Sequence, residues 1–400
     1  MNVIVLDGEQ RSALAVTRSL GKRGINVIVG AEKSPSLSSC SRYCSRSFQY
    51  PSPYNDPIGF IQTLVEYTGK SRNQIIFPMT DVTLTEVLLK RRDFPESLLI
   101  PFVDYDTYMQ VTDKINLFRI GKDLNLPIPI SFLSTDFENT ENLIEMVRKF
   151  GFPLVVKPSF SKIRTKKGWM NAGVHYANDE KGLRKILSHD VFQSFPFLIQ
   201  ERIEGPGVGI FLLMKNGEVI AKFSHKRIRE KPPSGGVSVL CESIEPPEDA
   251  LHASVKLLAK LHWTGVAMVE FKIDREKNIA KLLEVNARFW GSLQLAIFSG
   301  VDFPYMLFRL ANGEKIVEPD GYTIGMRSRW ELGDLDHLFI RLFKNSSKSN
   351  LPLDHQARLT LIKEFLFDFF RPAVRNEILQ VHDPGPFFHE LKEYVNNMFH

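Results

Sequence analysis

Residues 281–293 read KLLEVNARFWGSL, and within them Glu284, Asn286 and Arg288 recur at every second position. Successive side chains of a strand point to opposite faces. The acid, the amide and the guanidinium therefore share one face with Leu282, while Leu283, Val285 and Ala287 take the other. The preceding strand, GVAMVEFKID (265–274), carries Glu270, and the turn-rich REKN leads back. A turn centred near Glu276 or Lys277 sets Glu270 opposite Leu282 or Glu284. Like charges directly opposed, with Cβ atoms about 4.5 to 5.5 Å apart, are destabilising. A divalent cation offsets that repulsion: Mg2+ takes one or two carboxylates and fills its shell with phosphate oxygens and water. Asn286 adds an amide oxygen, and Arg288 a planar fork that suits phosphate. Glu270, Glu284 and Asn286 are thus the candidate metal ligands. A solvated sheet face accounts for the same residue types and stays open at this point.

Lys157 ends the apolar run PLVVKP, at the lip of a sheet, where an ammonium can meet a phosphate. The following segment, SFSKIRTKKGWMNAG (159–173), holds Lys162, Arg164, Lys166 and Lys167, two glycines and no acid. It reads equally as a solvated loop and as a flap over a polyphosphate. A second basic run, KFSHKRIREKPPSGGVSVLCESIEP (222–246), gathers Lys222, His225, Lys226, Arg227, Arg229 and Lys231 ahead of Gly235-Gly236. Backbone N–H groups around paired glycines can form an anion-binding nest. Arg229, with Gly235, Gly236, Ser238 and Trp290, is the candidate for selecting the reacting group. Basic lips around a carboxylate pair suit a Mg-polyphosphate. They do not suit nucleic acid, whose binding grooves have no use for clustered acids and need interleaved aromatics for stacking.

The elements that must position these residues follow from local pattern. Residues 3–7, 26–30 and 74–78 read as strands alternating with helices over 10–22 and 57–67 and from Thr80 or Asp81, which is the pattern of a parallel sheet wrapped by helices. The first strand-to-helix turn, DGEQRSA, is not GxGxxG, so a dinucleotide site is not expected there. A helix capped by Thr112 or Asp113 and closed by prolines 127 and 129 leads into a second unit. That unit has a helix over 141–149 and strands over 152–158 and 197–205. Two further strands, 209–214 and 218–227, flank Asn216-Gly217, a hairpin signal. A helix over 250–262 precedes the final hairpin, and from about Tyr322 the chain reads as aromatic and helical.

At 400 residues, 43% apolar and 24% charged, the sequence is ordinary for a globular protein of two or three domains. A net charge of +5 permits an anionic ligand without demanding nucleic acid. Cys40, Cys44 and Cys241 supply neither a disulfide framework nor a zinc set. The first residues lack the basic start and long apolar core of a signal peptide. With no run of 18 apolar residues, the expectation is a cytoplasmic protein without membrane insertion.

Lys114 in a DK pair, Lys157 in VVKP, a Gly-bearing loop, IQERIEG, Glu270 and then Glu-x-Asn-x-Arg come in an order that resembles the ATP-grasp superfamily. The run LLEVNARFWGSLQLAIFSGVDFP is similar to its carbamoyl-phosphate synthase and biotin carboxylase branch. The resemblance implies an α/β and α+β architecture: a preATP-grasp parallel-sheet domain over 1–110, a small α+β subdomain over 111–195, a large one over 196–320 and a mainly helical extension over 321–400. It further implies that Lys114 and Lys157 contact phosphates and that Gln200, Glu201, Arg202 and Ile203 form the adenine hinge. Glu270, Glu284 and Asn286 would bind Mg2+, or Mn2+, beside ATP. Arg288 and Arg229 would face the transferred groups. Such proteins mostly activate a carboxylate as an acyl phosphate for attack by an amine, here with amino acids as possible substrates, and relatives are often homodimers.

Two departures qualify that picture. Gly209 stands where a ribose-binding acid is expected, leaving Glu204 as the candidate. Phe289-Trp290-Gly291-Ser292 follows Arg288 where the synthase branch has an arginine and serines, which argues for an acceptor larger than bicarbonate. A nucleotide-binding regulatory protein without turnover and a carboxylate kinase are the alternative readings.

Overall fold

The computed structural model describes residues 1–70, 72–343 and 358–399. Val3, Ile4 and Val5, Val27 to Val29 and Ile75 to Phe77 are apolar on both faces and almost wholly buried. Such runs belong to a parallel sheet covered on both sides. They form the centre of five parallel strands in the order Arg46–Gln49, Asn26–Ala31, Asn2–Val5, Gln74–Phe77, Leu98–Leu99. Asp7, at φ 56° just past the first of these strands in sequence, accepts hydrogen bonds from the Met79 and Thr80 backbone N–H groups and the Thr83 hydroxyl. It ties the sheet to the helix Asp81–Leu89, whose N-cap is Thr80.

The helix Lys114–Asp123, capped by Asp113, leads into a four-stranded antiparallel sheet ordered His175–Ala177, Leu154–Pro158, Phe197–Glu201, Ser131–Leu133. The strand Phe197–Glu201 thus belongs to this small sheet, beyond the boundary at 195 read from sequence. Thr140–Phe150 and Glu180–Leu187 bury Leu143, Ile144, Val147, Leu183 and Ile186 against it. The basic loop is a hairpin, Lys162–Thr165 with Gly168–Asn171. It docks on the N-terminal domain, where Trp169 N–H donates to Tyr54 O at 2.8 Å. A Cβ on Gly168, at φ +117°, would lie 2.0 Å from that same oxygen, so only glycine allows the approach.

The third sheet has seven strands: Ile279–Asn286, Gly265–Asp274, Gly207–Lys215, Glu218–Lys231, Val237–Ser243, Arg327–Arg329, Val374–Asn376. Asn216 and Gly217, both at positive φ, close the hairpin as expected from sequence. Residues 321–400, read as a mainly helical extension, carry the helices Glu331–Phe343, Arg358–Phe367 and Gly385–Phe399 among the described residues, and they also add the last two strands to the sheet. Arg-x-Arg carries no strand signal. Its charges are met by acids remote in sequence or on the next helix, Arg327 by Glu242 and Arg329 by Asp334. Arg18, 2% exposed, joins the segment to the first domain through Asp383 and the carbonyls of Glu377 and Ile378. All three cysteines are free, and among the described residues no helix is long and apolar enough to cross a membrane.

Burial pushes the Asp7 carboxyl up from 3.8 to about 6. A raised acid favours the folded state when protonated, so its contribution is full below the unfolded value and is lost as pH rises through 6. At about 1.4 kcal/mol per unit this amounts to about 3 kcal/mol. Urea denaturation should therefore show the stability of the wild type falling relative to Asp7→Asn between about pH 4 and pH 7. A difference that stays flat over that range overturns the assignment.

Candidate active site

The three sheets converge on a cavity of about 800 Å3. Its base is the hairpin of Gly265–Asp274 with Ile279–Asn286, in which Glu270 stands opposite Glu284. The register slips immediately beyond that pair, because Leu283 is bulged out between Glu284 and Leu282. Strict alternation put Leu282 beside Glu284 and Leu283 on the core face. The bulge reverses both: Leu282 is fully buried, and Leu283 lines the cavity.

Each carboxylate has its own counter-charge. Glu270 meets the Arg227 guanidinium at 2.5 Å, and Arg227 also holds Glu230 at 2.9 Å. Lys114, only 5% exposed, donates to the Ser161 hydroxyl at 2.8 Å and lies 3.9 Å from Glu284. Burial holds the Glu270 carboxyl above the usual range although Arg227 opposes it. Burial also acts on Glu284, but Lys114, Lys157 and Arg227 outweigh it and hold that carboxyl below the usual range. Asn286 bridges the pair, its amide N–H groups 3.1 Å from Glu270 and 3.4 Å from Glu284.

The two opposed carboxylates fit a hard divalent cation that completes its shell with phosphate and water. Among the described residues no group of three or more His, Cys, Asp or Glu side chains is arranged to hold an ion, so the set is Glu270, Glu284 and an amide. As placed, Asn286 turns its nitrogen to the carboxylates and its oxygen to Arg288. Ligation by Asn286 requires the amide to rotate.

Arg288 donates twice to Asp81, at 2.8 Å from both Nε and Nη2, and once to Asn286 Oδ1 at 3.2 Å. Burial acts against the charged guanidinium, and Asp81 more than restores it, so it stays fully charged. Asp81 reads in sequence only as a helix-opening residue; its partner lies 207 positions away, so local pattern cannot reveal the pair. Arg227 and Glu230 were likewise hidden inside a basic run.

The remaining candidates divide. Lys157 lines the cavity, and burial lowers its ammonium to about 8, with Lys114 and Lys272 adding to the effect against the pull of Glu284. Glu201, Arg202 and Ile203 line the opposite end with Gln200, whose amide is fixed by the Ser131 hydroxyl at 2.8 Å. Glu204 is exposed and does not line the cavity, whereas Glu201 and Glu230 do. Arg229 is not brought to the site. Register irregularities on both sides of it turn its side chain away from the face that holds Arg227 and Glu230, and it pairs instead with Asp334 and Asp368 of the C-terminal segment. Trp290 is 2% exposed and packs on Phe211 and Phe303. A second cavity of about 450 Å3, lined by Tyr105, Tyr108, Phe160 and Trp169, meets the first at Glu284, Asn286 and Arg288.

Residues 193–331 match the family described as ATP-grasp in the biosynthetic pathway with Ter operon. Over 202 residues, 48% of this chain, the sequence is 29% identical to the carbamoyl phosphate synthase large chain of Methanobrevibacter smithii; the aligned part spans only 18% of that relative's length. Among solved structures, the fold is similar to a biotin carboxylase from Campylobacter jejuni, with a TM-score of 0.63, 14% identity and 81% of this chain against 74% of that one. An N5-carboxyaminoimidazole synthetase from Staphylococcus aureus superposes with a TM-score of 0.62 and 14% identity, over 82% of this chain and 80% of that one. Motif order, sequence match and fold point the same way: residues 193–331 match an ATP-grasp family, and the chain is similar in sequence to carbamoyl phosphate synthase and in fold to biotin carboxylase.

Proposed function

We propose that the protein is an ATP-dependent ligase that activates a carboxylate as an acyl phosphate and passes the acyl group to an amine. One observation carries this reading: Glu270 and Glu284 oppose each other at the point where Lys114, Lys157 and Arg288 converge, with residues 200–203 at the far end of the same cavity. In this reading the backbone of Glu201 to Ile203 meets the adenine. Lys114 and Lys157 neutralise phosphate oxygens. Glu270 and Glu284, joined by a rotated Asn286, hold Mg2+, which when bound supplies charge neutralisation at the phosphates.

The substrate carboxylate attacks the terminal phosphorus, and the bond to the ADP oxygen breaks. The amine nitrogen then attacks the acyl carbon, phosphate leaves with the electron pair of the C–O bond, and the nitrogen releases a proton. Arg288, clamped by Asp81, is placed to meet the reacting acyl group. The chain supplies no nucleophile, because positioning and charge neutralisation are the main demands of phosphoryl transfer.

Incubating the purified protein with Mg-ATP, pooled amino acids and small carboxylates should release ADP together with a product whose mass is the sum of two inputs less one water. A phosphorylated carboxylate formed without amine would indicate a kinase instead. Glu284→Gln and Lys157→Ala should each lower turnover at least about tenfold, the scale for losing one charge-stabilising contact; wild-type rates in both would overturn the site.

Lys157 binds phosphate in its charged form, and burial releases its proton as pH rises through about 8. ATP affinity of the free protein should therefore fall between pH 7 and pH 9 by calorimetric titration. In Lys157→Arg, which keeps its charge, the fall should disappear; an equal fall in both proteins would remove Lys157 from the phosphate site.

A further inference from the structure

The large cavity continues past Arg288 to an end built by the C-terminal segment, where Trp330 and Glu390 form part of the wall. Glu390 stands on the helix Gly385–Phe399, outside the residues that match the ATP-grasp family, and the mechanism above makes no use of it. One of its oxygens, Oε1, accepts the Trp330 indole N–H at 2.8 Å. The other, Oε2, is buried and has no hydrogen-bond partner among the described residues. A buried, half-satisfied carboxylate costs stability unless something pairs with it.

The nearby cations do not meet that need. Arg11 is paired with Glu377 and stacks 4.2 Å over the Trp330 ring; Lys231 is paired with Asp336 and lies 5.2 Å over the same ring. Glu331, which accepts the Ile378 and Leu379 backbone N–H groups, is also close enough to raise the Glu390 carboxyl. Burial, with Glu331, brings Glu390 up to about 7. The same cavity wall carries further polar atoms without hydrogen-bond partners among the described residues: the Trp290 indole N–H and both ring nitrogens of His225, in side chains 2% and 1% exposed.

We propose that this part of the cavity is the amine subsite, in which Glu390 anchors the second substrate as its ammonium and accepts the proton that the nitrogen must lose before it attacks the acyl carbon, and Trp330 positions Glu390. The proposal rests on the ligase reading above and names the part of the chain that selects the acceptor. An ammonium brings one positive charge and three N–H donors, which is what a carboxylate with one unpartnered oxygen lacks. A substrate carboxylate would be repelled by the unpartnered Glu390 carboxylate and is directed instead toward Arg288. Trp330 acts through Glu390: by holding Oε1 it fixes the side chain and leaves Oε2 for the ligand.

Hydroxylamine is uncharged near neutral pH and traps an acyl phosphate as a hydroxamate, so it needs no anion to seat it. The full chain would be assayed for hydroxamate with Mg-ATP and the carboxylate pool, with simple primary alkylamines and amino-acid amides as competitors, since these carry no carboxylate. In the wild type at least one such amine should suppress hydroxamate formation. In Glu390→Gln the amine concentration required, divided by the KM for hydroxylamine in the same variant, should rise at least about tenfold, as for loss of a charged hydrogen bond. A general loss of activity moves both quantities alike and leaves the ratio unchanged. Trp330→Phe, which keeps the ring and removes only the N–H donor, should move the ratio in the same direction. If no amine competes, or the ratio is unchanged in both variants, the ammonium anchor is wrong while acyl activation stands. If the wild type forms no hydroxamate at all, the ligase reading falls and the subsite with it.

Discussion

Two carboxylates that face each other across a hairpin repel, and the surroundings of Glu270 and Glu284 are arranged around that repulsion. Arg227 reaches Glu270 from the strand on the far side of Gly207–Lys215, and Lys114 reaches Glu284 from the first helix after the N-terminal domain. Lys157 approaches from the small sheet. No single subdomain neutralises the pair: Arg227 comes from the large one, Lys114 and Lys157 from the small one. The electrostatic demand of one hairpin thus draws the small and large subdomains together at the cavity.

The same logic governs the far edge of the large sheet. Val237–Ser243 would present unpaired backbone groups to solvent, and a strand edge of that kind is prone to pair with other chains. Arg327–Arg329 and Val374–Asn376 cover it. Arg329 of the first belongs to a buried ionic cluster in which it shares Asp334 with Arg229, and Asp368 adds a second acid to Arg229. Removing one partner from such a cluster leaves an uncompensated charge. The segment after residue 320 is therefore bound to the core by charge pairing as well as by apolar packing.

How much of this was legible in the sequence depended on how locally each feature is encoded. The parallel strands of the first domain, the caps at Thr80 and Asp113, the Asn216-Gly217 turn and the opposition of Glu270 and Glu284 all follow from patterns a few residues long. The bulge at Leu283 does not, because nothing in an apolar Leu-Leu pair marks which residue will be extruded. Arg229 was misplaced for a related reason. Its neighbours Arg227 and Glu230 face the cavity while register irregularities turn it to the other face, so counting by twos fails on both strands. Asp81 and Glu390 were out of reach because their partners are distant in sequence or depend on a tertiary docking that composition does not encode.

The helix Asp81–Leu89 holds two functional attachments at once. Asp81, at its first position, clamps Arg288. Glu86, 1% exposed and little more than one turn later, receives Arg164 in a bidentate pair and the Trp169 indole N–H from the hairpin 162–171. A helix of nine residues is too short and too well packed to bend between those points. The Arg288 guanidinium and the hairpin that lines the smaller cavity are mounted on one short helix, so they are coupled through it. For the hairpin to lift away by itself, a buried carboxylate would have to give up all its donors.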